Sequence, residues 1–190
     1  MKLINEKINF KDFFKKFKIT ESYEKKILNS NNFLLNEVVT KIGSRSFNNG
    51  LFRTYNASEI ELYTKNIEES FPNSKNKIIC FGRDWLNRQF TIKINKPYHI
   101  NRFDIYFNDV IDIPISLKIF FEEEIIEYTN ELLSEEFFYQ WQKSTNNIKI
   151  LSHQCVNFKI PPSLGGKDDI DNLELADSDV SWEINSQLRF

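Results

Sequence analysis

The sequence predicts an α+β fold: an antiparallel sheet covered by helices, with a C-terminal extension of strand, loop and helix. Three observations lead there. Some blocks carry apolar residues at helical spacing, such as Phe10, Phe13, Phe14 and Phe17, while others alternate with the period of a strand. The strand-like blocks gather in the middle of the chain with helical ones on either side, an order that stacks helices on a sheet. Hydrophobic residues make up 41% of the 190, with 18 Phe among them, so one core can form without a disulfide or metal staple. Residues 1–147 read as the core and residues 148–190 as an extension packed on it.

Element by element, the Phe10–Phe17 stripe predicts a short amphipathic helix with Lys on its other side. Packing on the body of the protein is its expected role, since it is too short and lacks other anchors for a membrane surface. A second helix runs from Asn32 to Ile42, burying Leu34, Leu35, Val38, Val39 and Ile42, with Gly43 as its stop. The loop Ser44–Asn49 leads into a strand at Gly50–Tyr55. Asn56 stands three residues before Glu59, the spacing of a capping box for a helix over Ala57–Phe71 that Pro72 and Asn73 end.

Lys77–Phe81 and Arg88–Ile94 form the most distinctive hairpin, around a tip of Gly82, Arg83, Asp84, Trp85, Leu86 and Asn87. Gly82 is expected to hold a turn at positive φ. Two roles are open to Trp85: folding back to cap the core, or anchoring a partner beside Arg83 and Asp84. Strands are predicted at Arg102–Phe107 and Val110–Ile113, with a turn at Asn108–Asp109.

Pro114 breaks this pattern, and a long helical region starts near Ser116. Leu117, Phe120, Phe121, Ile125, Tyr128 and Leu132 form its inner side, and Glu122, Glu123, Glu124 and Glu127 its outer side. Ser134 is expected to cap a helix over Glu135–Lys143. In the extension, Ile148–Leu151 and Cys155–Ile160 are predicted strands, and Pro161–Gly166 is a dense turn cluster. Beyond it, Asp177 or Ser178 caps a helix carrying Val180, Ile184 and Leu188, or Val180, Trp182 and Ile184 alternate as a strand.

Charge is uneven although the net value is −2. Eight Lys fall in Met1–Lys26, whereas Lys167–Phe190 holds Asp168, Asp169, Asp171, Glu174, Asp177, Asp179 and Glu183 against Lys167 and Arg189. Such acid blocks are ordinary solvated faces, or they steer a basic partner. The lack of a global basic field argues against nucleic acid as that partner. No leader and no run of about 18 apolar residues is evident, so a cytoplasmic protein is expected.

The patterns that carry known chemistry are missing. An EF-hand loop starting at Asp169 requires Gly and Glu where Glu174 and Val180 stand. His99 and His153 fit no metal-ligand spacing, and Cys80 and Cys155 form no CxxC. His153 and Cys155 share a face if both lie on one strand, but nothing around them marks an activated thiolate. No phosphate-binding loop is present. The expectation is a binding protein without enzymatic activity or cofactor.

Three segments resemble the SUKH superfamily, bacterial immunity proteins of polymorphic toxin systems related to a yeast cell-wall synthesis regulator. They are Val39–Arg53 (VTKIGSRSFNNGLFR), Phe81–Phe90 (FGRDWLNRQF) and Ile160–Leu175 (IPPSLGGKDDIDNLEL) with Gln187–Arg189 following. The resemblance covers roughly Asn32 to Arg189, and Met1–Ser30 lies outside it. It implies an α+β fold and a non-catalytic role in which the chain binds one cognate toxin and blocks it. Arg83, Asp84, Trp85, Asp168, Asp169 and Asp171 are the candidate partner contacts. A regulatory adaptor for an endogenous protein is the alternative, and a small-ligand binder the next; the oligomeric state is left open.

Overall fold

A computed structural model describes residues 7–24 and 30–188, and Arg189 of the third resembling segment lies outside them. Seven antiparallel strands form one sheet in sequence order: β1 (Ile19–Ser22), β2 (Arg45–Phe47), β3 (Phe52–Thr54), β4 (Ile78–Asp84), β5 (Gln89–Lys93), β6 (Lys96–Asp104) and β7 (Asp109–Ile113). A separate two-stranded ladder pairs β8 (Gln154–Phe158) with β9 (Leu173–Asp177). The helices are α1 (Lys11–Lys16), α2 (Phe33–Ile42), α3 (Ala57–Ser70), a broken run α4 (Leu117–Ile119), α5 (Ile125–Glu127) and α6 (Thr129–Leu133), then α7 (Glu135–Ser144) and α8 (Ser178–Gln187). The α+β architecture is thus as predicted.

Both faces of the sheet are covered, by different chemistry. Phenylalanines dominate one. Phe52 and Phe90 meet Phe120 at ring-centroid distances of 6.5 and 5.6 Å, and Phe17 reaches Phe52 at 6.2 Å. Phe13 and Phe17 of the first helical block stack at 4.6 Å and are fully buried, so this stripe faces the protein body. Phe120 and Phe121 are adjacent and both fully buried. A π-helical turn over Phe120–Glu124 widens the helix where they enter the core.

The opposite face is polar. Arg53, Arg83 and Gln89 stand in one cross-strand row, under α3 and the C-terminal extension. Tyr55 stacks on Tyr63 of α3 at 4.5 Å, and its hydroxyl donates to Gln89 Oε1 at 2.8 Å. Arg53 donates to Glu59 Oε1 at 2.6 Å, while the other oxygen of Glu59 accepts the Asn56 N–H at 2.9 Å. The predicted capping box is therefore also an ion-pair partner for the sheet.

Several expectations are corrected. Arg45–Phe47 is a strand where a loop was predicted, since its three residues gain their order from β1 and β3, not from local pattern. Tyr128 is half exposed. Ser134 adopts φ 54° and makes no side-chain cap; its hydroxyl accepts from Arg88 Nη2 at 3.2 Å. Ile148–Leu151 forms no strand, and the unpredicted β9 supplies the partner of β8. The last element is the helix, capped by Asp177, but it buries Ser178, Ser181, Trp182 and Asn185 while Val180 and Ile184 face outward. It packs by small and polar residues, so the apolar pattern misplaces its inner face.

Candidate functional site

The β4–β5 hairpin lies at the centre of the sheet, and every residue from Phe81 to Ile92 is buried. Arg83, Asp84 and Trp85 are 2%, 2% and 1% exposed, so the expectation that they offer a recognition tip is corrected. Trp85 caps the core, donating from Nε1 to the Leu133 carbonyl at 2.7 Å and meeting Phe138 at 5.3 Å. The Arg83 guanidinium donates to Asn87 Oδ1 at 2.9 Å and to the Ser152 and Gln154 carbonyls at 2.8 and 3.0 Å. It therefore fastens the extension to the sheet.

At the end of this hairpin the chain builds a crevice of about 190 Å³. The β4–β5 turn supplies Leu86 and Arg88, the β6–β7 turn Asp104, Tyr106 and Phe107, and the entry to α7 Ser134 and Phe137. The extension closes it with Phe158 and Asp168. Asn87 takes the left-handed conformation (φ 62°) that this tight turn requires. Asp84 Oδ1 then accepts the Leu86 and Arg88 N–H groups, each at 3.0 Å, and Oδ2 pairs with Arg88 Nε at 2.5 Å.

Asp104 is built similarly. Its Oδ1 accepts the N–H groups of Tyr106 and Phe107 at 3.0 and 3.2 Å, which shapes the β6–β7 turn. Burial pushes the carboxyls of Asp84 and Asp104 above the usual range, against the pull of Arg88 and Arg102. Arg102 itself donates to the carbonyls of Glu131 and Leu132 at 3.1 and 2.7 Å.

Of the predicted contacts, Asp168 lies at the crevice and is exposed. Asp169 accepts the Asn172 N–H at 3.1 Å and caps a short 3-10 turn, and Asp171 is exposed beside it. Arg88, Asp104 and Ser134 were missed. They are brought together from three separate turns, and the one local signal was the Asp84–Arg88 spacing of opposite charges. Cys155 is fully buried and its thiol is pushed up to about 11 by burial, the reverse of an activated nucleophile, while His153 sits outside in the preceding turn. Among the described residues, no group of three or more His, Cys, Asp or Glu is placed to hold a metal ion, and no helix is long and apolar enough to cross a membrane.

No family model and no curated protein matches the sequence. The chain is similar in structure to Atu4351 from Agrobacterium tumefaciens, with a TM-score of 0.61 over 95% of this chain and 90% of that one, at 15% identity. At that identity the likeness shows the fold alone.

Proposed function

We propose that this chain is a cytoplasmic binding protein that neutralises a basic toxin by stoichiometric association, the role implied by its SUKH-like segments. The observation that carries the reading is the charge of the C-terminal extension. Asp168, Asp171, Glu174, Asp177, Asp179 and Glu183 are all exposed there, on a hairpin and helix anchored to the sheet by buried groups. A rigid, negatively charged surface speeds encounter with a basic partner and fixes its orientation. Binding, not turnover, is the act proposed.

Co-expression with a candidate basic toxin tests it. A one-to-one complex should copurify, weaken in high salt, and accompany survival of the cells. Death of cells that contain both folded proteins, with no complex recovered, defeats the proposal.

A further inference from the structure

The crevice of about 190 Å³ contains a group that neither the fold nor the neighbouring ion pair uses up. Asp104 is 7% exposed; Arg88 and Arg102 act on its charge, but among the described residues neither forms a direct ion pair or hydrogen bond with it. Its Oδ1 is occupied by the two turn N–H groups, and Oδ2 takes no hydrogen bond from the described residues. Arg88, in the same crevice, is already held by Asp84 and Ser134, and Arg102 by the Glu131 and Leu132 carbonyls. A nine-tenths buried carboxylate with a free oxygen lining an opening is a place for a donor from outside.

The walls narrow the choice of donor. Phe107, Phe137, Phe158 and Leu86 flank the polar floor, and Asp168 adds a second carboxylate where the crevice meets solvent. The volume is below the roughly 300–1,000 Å³ of metabolite pockets and equals about six waters. One long side chain fits this space. A flat, weakly hydrated cation suits aromatic walls and carboxylates together better than a compact ammonium.

We infer that the crevice is the receptor for a single arginine side chain of the basic partner, its guanidinium directed at Asp104 with Asp168 at the mouth. This deepens the proposed function and rests on it for the partner's identity.

Titration of the isotope-labelled full chain with N-acetyl-arginine methylamide, followed by amide NMR, tests the crevice without the partner. Saturable shifts are expected at Arg88, Phe107, Ser134 and Asp168, and the norleucine and glutamate counterparts should bind at least about tenfold more weakly. Asp104→Asn still accepts both turn N–H groups but loses the charge, and should weaken arginine binding about tenfold. The exposed Asp168→Asn variant leaves the folded core untouched and should weaken it about two- to threefold. Absence of shifts, equal binding of norleucine, tighter binding of the lysine counterpart, or indifference to both substitutions overturns the inference. Failure here in a chain that still protects cells removes the crevice and leaves the proposed function. Saturable arginine binding by a chain that protects against nothing does the reverse.

Discussion

Arg83 is 2% exposed, but it reaches no carboxylate among the described residues; its guanidinium ends on Asn87 and on the carbonyls of Ser152 and of Gln154 at the start of β8. A buried charge is tolerated only when its donors are satisfied, and here that satisfaction joins two parts of the chain distant in sequence. Arg83→Met would take the guanidinium from the Ser152 and Gln154 carbonyls, while Asn87 Oδ1 keeps Gln89 Nε2 at 3.0 Å. Urea denaturation should show a loss of about 3 kcal/mol, and an unchanged midpoint would show that the guanidinium is not what ties the extension down. The sequence placed Arg83 and Asp84 at an exposed tip because charged residues are usually outside, and left Trp85 open between that tip and the core. What hid their burial is that Asp84 and Arg88 neutralise each other within one turn, while the carbonyl acceptors of Arg83 and Trp85 come from residues 48 to 71 positions away.

Among elements, α2 and α3 were legible almost to the residue, since their signals are local. Asn32 accepts the Leu35 N–H and Asn56 completes the capping box with Glu59, both readable from four consecutive residues. The short strands β1 and β2 were not, because three or four residues acquire strand geometry only by pairing with distant partners. Turn positions followed a composition signal: among the described residues, seven of the nine non-glycine residues at positive φ are Asn, in a chain with five Gly. Gly82 departs from the turn expected of it, for it lies inside β4 beside a bulge, and a Cβ there would fall 2.4 Å from the Arg53 carbonyl oxygen. Close approach of β3 to β4 is therefore what requires glycine. Gly82→Val should cost about 1–3 kcal/mol by overpacking, read as a lowered denaturation midpoint. An unaltered midpoint would mean that the two strands can separate locally at no cost.

Over the whole molecule, the polar side of the sheet makes stability sensitive to alkali. Burial raises the Tyr63 phenol from 10.0 to about 12 and the Cys155 thiol from 9.0 to about 11, and it holds Tyr55 and Tyr106 well above their ordinary value. The unfolded chain would release these protons near 9 to 10 while the folded one keeps them. Above that range the native state binds more protons, so stability falls as pH rises, and it is fully present below about 9. Urea melts repeated from neutral pH to about 11 should lose a few kcal/mol, beginning near pH 9. A flat profile would indicate that the phenols and thiol ionise freely in the fold.

The sequence by itself determined the α+β class, the two capped helices, the phenylalanine core and the acidic C-terminal extension, because periodicity, caps and charge act within a few residues of chain. Only the tertiary structure decided which charged residues go inside. It buried Arg83 and Asp84, left Asp168 at an opening, and brought Arg88, Asp104 and Ser134 together from three turns. The physical reason is that burial of a polar group depends on partners supplied by other elements, and the chain order does not state which elements will meet.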